Sequence, residues 1–308
     1  MKIGQGVSIT LAMLAAIQGI AAAAPNDTGA PSQLVVTARP NKGANQPATL
    51  EASEVTVLLG NASLPVVSLE RLAGDAADMQ LFILLDDSTR TASLGTQLRE
   101  LKTFIEASAV KTEIAIGYMR NGSFGLVQPF TADHAKAASA LRLPMAIPGE
   151  NGSPYFALSD LVKHWPSKQP TRRRAVLMLT DGVDRYYSAA TTDDPYVNAS
   201  IHDALKQGVM VYSIYLQGAG AFGRNGWGAN VAQSHLLEVS EKTGGQAFFQ
   251  GLSDPVSISP FLMELDNCLD NQYLLTVEVL NEKGLQPVKL RTEVPNVKIS
   301  SAAYINVR

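Results

Sequence analysis

Apolar strands and amphipathic helices alternate along the chain from Gln80 to about Asp266. The runs Leu81 to Leu85 and Ala175 to Leu179 are uninterrupted apolar segments, which is typical of strands buried on both faces of a sheet. Strands separated by helices pair in parallel, because the crossover carries the chain back to the same end of the sheet. The alternation therefore predicts an α/β fold, with a doubly wound and mostly parallel sheet, in residues 78–270.

Short β-type runs separated by turn residues occupy both flanks of this region, in residues 33–72 and 271–308. Each flank has too few strands to bury an apolar face by itself. We therefore expect the two flanks to pair into one small β-sandwich, with the α/β domain inserted between them.

The amino terminus has the pattern of a secretory signal peptide, with Lys2 followed by an uncharged, Ala-rich apolar run and then a polar leader over residues 24–32. Small residues at Ala21 and Ala23 predict cleavage after Ala23, so that residues 1–23 are removed and the mature protein is periplasmic or secreted. An uncleaved amino-terminal anchor is the alternative, because the run approaches membrane-spanning length. No later stretch reaches that length, so no membrane span is expected in the mature chain.

Charge and cysteine content exclude several classes of protein. The formal net charge is −3, from 25 basic and 28 acidic residues, and no long Lys/Arg block is present, which argues against nucleic acid as a partner. The single cysteine, Cys268, removes a disulfide framework and a Cys-rich zinc site, and its apolar surroundings predict a core position. The basic run 172–174 precedes a strand and is interpreted as a solvated flank.

Polar residues follow the predicted strands where ligands of open α/β sheets bind, at the carboxyl ends. The first strand ends in the sequence Asp86-Asp87-Ser88-Thr89-Arg90, and the central strand ends in Thr180-Asp181-Gly182. Between them, Asn151-Gly152-Ser153-Pro154 opens a helix. The three segments should meet at one edge of the sheet.

This combination resembles the von Willebrand factor A (vWA) domain, in which an Asp-x-Ser-x-Ser loop, a hydroxyl before the third helix and a Thr-Asp-Gly loop form a metal-ion-dependent adhesion site (MIDAS). The resemblance covers residues 33–308 and is closest to the exported acidobacterial VWFA-related domain family. The segments 130–133 (Phe-Thr-Ala-Asp) and 271–274 (Asn-Gln-Tyr-Leu) are similar to later motifs of that family. The resemblance implies a vWA fold and a protein-binding or scaffold role without catalysis.

The resemblance also implies a ligand set for a hard divalent cation such as Mg²⁺, which prefers oxygen ligands. The positions that match the MIDAS motif are Asp86, Ser88, Ser153 and Asp181. Arg90 occupies the position of the second Ser and brings a permanent cation where a ligand is needed. We therefore expect a degenerate site, with Mg²⁺ binding weak or absent and Arg90 neutralising the carboxylates.

Retained metal binding is the alternative at this site. It could arise if the motif shifts by one residue, so that Asp87, Thr89 and Thr91 supply the oxygen ligands.

Aromatic and basic residues in the loops near this edge predict a partner-binding rim, because Tyr, Trp and Arg are enriched at interface hot spots. The alternative is that these side chains fold back to cover the sheet. The rim candidates are Tyr155, Tyr186, Tyr187, Phe222, Arg224 and Trp227.

A Gly-x-Gly-x-x-Gly pattern at residues 218–223 supports a second hypothesis, a dinucleotide-dependent enzyme. A cofactor-binding copy opens a helix at once, whereas residues 224–228 are expected to continue as loop. No Gly-x-Ser-x-Gly elbow is present, and none of the four histidines lies in a motif with a Ser or Cys nucleophile. We therefore expect no catalytic residues and no enzyme activity.

Overall fold

The computed structural model describes residues 30–41, 49–147, 152–187, 193–217, 226–280 and 282–307. Its strands are β1 (Ala30–Pro40), β2 (Val55–Leu59), β3 (Ala62–Leu64), β4 (Val66–Arg71), β5 (Met79–Asp86), β6 (Thr112–Arg120), β7 (Ser123–Thr131), β8 (Arg173–Thr180), β9 (Val209–Tyr215), β10 (Ala247–Phe248), β11 (Gln272–Val279), β12 (Gly284–Thr292), β13 (Val297–Ser301) and β14 (Tyr304–Val307). Its α-helices are α1 (Leu94–Ala107), α2 (His134–Ser139), α3 (Pro154–Lys163), α4 (Pro195–Gln207), α5 (Gly226–Lys242) and α6 (Ser259–Asp270).

The central sheet has six strands in the order β10-β9-β8-β5-β6-β7. Neighbours from β10 to β6 pair in parallel, and β7 closes one edge as the antiparallel half of a hairpin with β6. The hairpin turns at Asn121 and Gly122, which both have positive φ, as a tight two-residue turn requires. The expected mostly parallel sheet is confirmed.

Side chains alternate between two apolar cores, one on each face of this sheet. Leu81, Ile83 and Leu85 of β5 pack on one face beneath α1, α2 and α6. Phe82 and Leu84 point to the other face, where α3, α4 and α5 cover them. Every residue of β5 is buried, which explains its uninterrupted apolar sequence.

The two flanks form a β-sandwich, as the sequence predicts. One sheet has the order β13-β1-β11-β4 and the other has the order β14-β12-β2-β3, so each sheet combines strands from both flanks. Val36 and Val277 of the first sheet share a core with Val57 and Ile305 of the second. The β-type run at residues 64–69 of the amino-terminal flank is divided at Pro65 between the two sheets, because proline cannot donate a ladder hydrogen bond.

Two local expectations are wrong. The chain is helical from Gly226, so residues 226–228 are not loop, while the residues of the Gly-x-Gly-x-x-Gly pattern lie outside the described part of the chain. Arg173 is 5% exposed and is not part of a solvated flank. Cys268 is buried, as expected. Within the described ranges, no helix has the length and apolar character needed to span a membrane.

Candidate functional site

The carboxyl ends of β5 and β8 bring the MIDAS-like residues together. Because these strands are parallel neighbours, Asp86 at the end of β5 lies beside Thr180 at the end of β8. Asp86 accepts hydrogen bonds at Oδ1 from the backbone N and Oγ of Ser88, at 2.8 and 2.7 Å. Its Oδ2 accepts from Thr180 Oγ1 at 3.1 Å. Both Asp86 oxygens are therefore engaged by donors of the protein itself.

Ser153 has a structural role at the start of α3. Its Oγ accepts from Phe156 N at 3.4 Å, as an N-cap does, and donates to Asp184 Oδ2 at 2.8 Å. Asp184 was not predicted as a site residue, although it lies only three residues after Asp181. Its Oδ1 accepts from the backbone N of Tyr186 at 2.8 Å, so it fixes the loop that follows β8.

Arg185 is the cation of the carboxylate cluster. Its Nη2 lies 2.6 Å from Asp181 Oδ2, and its Nη1 lies 3.4 Å from Asp181 Oδ1. Arg90 instead donates to the carbonyl oxygens of Thr89 and Ala146, both at 2.7 Å. The expectation that Arg90 neutralises the site is wrong, because its guanidinium is directed to a neighbouring loop. The loop position of Arg185, four residues after Asp181, was the available sequence signal.

Burial and like charge act together on Asp86. Burial and the nearby Asp181 carboxylate raise the pKa of Asp86 to about 6, against the opposing hydrogen bonds from Ser88. Burial lowers the pKa of Arg185, but the charge of Asp181, its hydrogen bond to Arg185 and the nearby Asp86 and Asp184 carboxylates together outweigh burial, so the net shift is upward and Arg185 stays protonated. In this cluster the Arg185 guanidinium pairs with Asp181, whereas Asp86 has no cation of its own. The negative charge of Asp86 is therefore the unfavourable one.

Asp87 has the opposite environment. Its carboxylate accepts from Arg142 Nη1 at 2.6 Å and Nη2 at 3.3 Å, and from Met145 N at 2.9 Å. Burial raises the pKa of Asp87, but these donors outweigh it and the net pKa is lowered. The alternative ligand set of Asp87, Thr89 and Thr91 is therefore not available, because the Asp87 carboxylate is ion-paired with Arg142. Thr91 in turn bonds to Gln97 at 3.2 Å.

A divalent cation does not fit this arrangement of residues. Asp181 is ion-paired with Arg185, and Ser153 donates to Asp184 rather than pointing an unengaged oxygen at Asp86. A metal ion would also lie next to a permanent guanidinium. Across the part of the chain that the structure describes, no group of three or more His, Cys, Asp or Glu side chains is arranged to hold a metal.

The predicted rim is divided between surface and core. Tyr186 is 54% exposed and Trp227, at the start of α5, is 66% exposed. Tyr187 is half-buried against Tyr196. Tyr155 is fully buried and donates to the carbonyl oxygen of Gly182 at 2.8 Å, so its expected rim position is wrong. Phe222 and Arg224 lie outside the described residues.

Tyr186 is held in place although it is exposed. Its ring packs edge-on against Phe156, with 5.4 Å between ring centroids. A Cβ at Gly152 would come within 2.4 Å of the Tyr186 ring, so any larger residue at position 152 would displace that ring. The next residue back in the loop, Arg185, donates its backbone N to Gly152 O at 2.8 Å. A fixed aromatic side chain costs little entropy on binding.

A cleft of about 580 Å³ lies at the opposite end of the sheet, between the α/β domain and the β-sandwich. Its wall includes the starts of β8 and β9 and residues 31–35 of β1. It is remote from the carboxyl ends of the strands and from the carboxylate cluster.

The comparisons with known proteins concern fold. No protein-family model and no curated protein sequence matches the chain. A structure of proximal thread matrix protein 1 from the mussel byssus, with a zinc-occupied MIDAS motif, is 12% identical with a TM-score of 0.46, covering 67% of this chain and 48% of that one. An aerotolerance-related membrane protein from Bacteroides fragilis is 14% identical with a TM-score of 0.41, covering 62% and 98%.

The VWA domain of SpRpn10 is 11% identical with a TM-score of 0.39, covering 60% of this chain and 93% of that one. The fold class of this chain is defined by its own strand order.

Proposed function

We propose that the chain is an exported, non-catalytic vWA-like module that binds another protein at the carboxyl end of its central sheet. The observation that carries this proposal is the gathering of Asp86, Ser88, Ser153 and Asp181 at that end, with exposed and fixed Tyr186 beside them. Trp227 begins the helix that follows β9 and so lies at the same end.

The binding is metal-independent in this proposal. The Arg185 guanidinium neutralises Asp181 from within the chain, which is the electrostatic contribution that a divalent cation makes in a MIDAS. A tethered cation needs no metal supply and cannot be removed by a chelator. The site is degenerate because Arg185 engages the Asp181 carboxylate, which a metal ion would need as a ligand.

Calorimetric titration with Mg²⁺ or Mn²⁺ tests this part of the proposal. We expect the unmodified protein to bind neither ion measurably. Arg185→Ala frees the Asp181 carboxylate and should create measurable affinity, and Asp181→Ala in that background should abolish it. Arg90→Ser is the matched control, and it should bind no better than the parent because Arg90 contacts carbonyl oxygens. Tight binding by the parent would refute the tethered-cation assignment.

Site-specific photo-crosslinking tests the binding face. A photoreactive phenylalanine at position 186 should capture a defined partner from the envelope fraction, identified by mass spectrometry. The same probe at position 110, where Val110 is 87% exposed at the other end of the sheet, is the control. Equal labelling from both positions would contradict a binding face at the carboxyl end.

Export is tested on the amino terminus of the native protein. Sequencing of the periplasmic or secreted product should begin at or near Ala24. Intact Met1 recovered from a membrane pellet would support the anchor instead.

The dinucleotide hypothesis loses one of its objections, because residues 226–228 are helical. Thermal melting separates the two hypotheses, since a ligand that binds only the folded state raises the melting temperature. Stabilisation by NAD would favour the enzyme, and no stabilisation is expected for a protein-binding module.

A further inference from the structure

The segment 142–147 lies between α2 and α3. Its first residue, Arg142, is held by Tyr118 and Asp87. The Tyr118 hydroxyl donates to Arg142 O at 2.7 Å and accepts from Arg142 N at 2.8 Å. The Arg142 guanidinium lies 3.9 Å from the centre of the Tyr118 ring and pairs with Asp87. The entry of the segment is therefore fixed to β6 and to the loop after β5.

The middle of the segment is anchored by the same loop after β5. Asp87 accepts from Met145 N at its side chain and from Ala146 N at its carbonyl oxygen, at 2.9 and 3.0 Å. Arg90 Nη2 donates to Ala146 O at 2.7 Å. The loop after β5 thus holds the segment 142–147 through Asp87 and Arg90.

This anchoring displays apolar side chains to solvent. Pro144 and Ala146 face inward and are buried, whereas Leu143, Met145 and Ile147 are 61%, 73% and 62% exposed. We call these three side chains the apolar ridge. Exposed and buried residues alternate along the segment, so the three side chains of the ridge lie on its outer side. A contiguous apolar stripe on a fixed segment marks an interaction site.

Positive charge lies beside the ridge, on the side of the loop that follows β5. Arg90 and Arg142 contact the segment itself, and Arg120 lies within electrostatic reach of Asp87. Asp87 supplies one buried carboxylate against these three guanidinium groups. The complementary surface is therefore apolar at its centre and acidic at its border.

We propose that the apolar ridge docks into an apolar groove bordered by Asp and Glu side chains on a partner protein. This inference rests on the proposed function and names the chemistry of the partner. A stripe of three side chains at fixed spacing matches side-chain pockets, whereas insertion into a lipid surface requires no such spacing. Because the segment is already ordered, little entropy is lost on docking.

Selection from a phage-displayed random peptide library tests the proposal. The library is selected on the unmodified protein alone, and each enriched peptide is then measured on the parent, on the ridge variant Leu143→Ser/Met145→Ser/Ile147→Ser and on Tyr186→Ala. Enriched peptides should combine apolar residues with Asp or Glu. Their affinity, measured by fluorescence anisotropy, should fall at least about tenfold in the ridge variant, the size of loss expected for central apolar contacts.

Two further variants complete the design. The control Val67→Ser/Val110→Ser/Met263→Ser removes three side chains of similar exposure elsewhere and should leave affinity unchanged. Arg90→Ala keeps the ridge but frees Ala146 O, and it should weaken binding roughly threefold because the segment is no longer preorganised. Matching thermal melts of the parent and the ridge variant exclude unfolding as the cause.

Each other outcome overturns the proposal. Peptides that bind the ridge variant as well as the parent, enriched peptides that are basic, or no enrichment would each refute an acidic-bordered groove. Ridge-dependent binding to phosphatidylglycerol vesicles without peptide enrichment would assign the ridge to a lipid surface. Peptides lost in Tyr186→Ala but kept in the ridge variant would uphold the proposed function and refute the ridge, so the two failures are distinguishable.

Discussion

The two ends of the central sheet solve the same problem, a buried charge, in different ways. At the amino end, Arg173 of β8 donates to Leu269 O at 2.8 Å, to Gln272 Oε1 at 2.9 Å and to Ala77 O at 2.6 Å. These acceptors are neutral oxygens from α6, β11 and the segment before β5. At the carboxyl end, the Asp86, Asp181 and Asp184 carboxylates crowd together around the one guanidinium of Arg185.

The difference shows that the amino end of the sheet stabilises the protein and that the carboxyl end destabilises it. Arg173 ties the α/β domain to the sandwich, because Gln272 also donates to Tyr212 of β9 at 3.0 Å. Asp86 is buried near Asp181, and the repulsion between the two carboxylates lowers the stability of the fold at neutral pH. Unfavourable charge retained at a strand end is characteristic of functional sites. The amino end is thus a structural joint, and the carboxyl end is the surface to which we assign the proposed binding.

The largest effect is expected at the joint. Arg173→Met should lower the free energy of unfolding by about 3 kcal/mol or more, because three buried oxygens lose their donors. Urea unfolding followed by intrinsic fluorescence measures the loss. Arg172→Met is the control, since the exposed pairs of Arg172 with Glu70 and Asp78 contribute less than about 1 kcal/mol. Equal losses in the two variants would contradict a joint centred on Arg173.

A smaller effect of opposite sign is expected at Asp86. The folded protein binds a proton at Asp86 more tightly than the unfolded chain does, since the folded pKa is about 6 and the ordinary pKa of an aspartate side chain is 3.8. The contribution of Asp86 to stability is therefore greatest below about pH 4 and is lost as the pH rises through 6. Asp86→Asn removes this loss, because its oxygen still accepts from Ser88 and its amide nitrogen donates to the Thr180 hydroxyl, which reverses its role. It should stabilise the protein at pH 7.5 by about 1–2 kcal/mol.

Asp87→Asn is the matched control for this pH profile. The pKa of Asp87 is lowered, so its contribution is present at neutral pH and is lost as the pH falls through the acid range. Asp87→Asn should therefore destabilise the protein at pH 7.5. Part of the slope between pH 4 and 6 should persist in Asp86→Asn, because burial and nearby Asp270 also raise the pKa of Asp266 to about 6. A stability loss at pH 7.5 in Asp86→Asn would contradict the electrostatic cost at the carboxyl end.

The fold could be predicted from the sequence because its strongest determinant is local. Continuous apolar runs such as Leu81 to Leu85 indicate strands with helices on both faces, and the short flanking strands can be stable only by pairing with each other. The division of the run at Pro65 was also recoverable, since proline interrupts a strand. The helical conformation of residues 226–228 was not recoverable, because this first turn of α5 is rich in glycine.

The site was predicted less well because its contacts are not local. Nothing in the motif indicates that Arg90 reaches Ala146 while Arg185 reaches Asp181, since loop conformation decides which guanidinium meets which oxygen. Tyr155 was misplaced although a signal existed. Its spacing to Leu158 and Val162 follows the buried stripe of α3.

The smallest effect on stability is expected at the exposed rim. A substitution there, compared with one in the core beneath it, distinguishes a surface residue from a buried one. Trp227→Ala should change the free energy of unfolding by less than about 0.5 kcal/mol, because the side chain is mostly exposed, whereas it should reduce partner capture in the crosslinking experiment. Tyr155→Phe should do the reverse, with a loss of about 1 kcal/mol from the missing bond to Gly182 O and unchanged capture. Thermal melting and capture measured on the same two samples decide the matter. If Tyr155→Phe weakens capture while Trp227→Ala does not, the partner does not bind the rim formed by Tyr186 and Trp227. Capture would then depend on the loop that Tyr155 holds through Gly182.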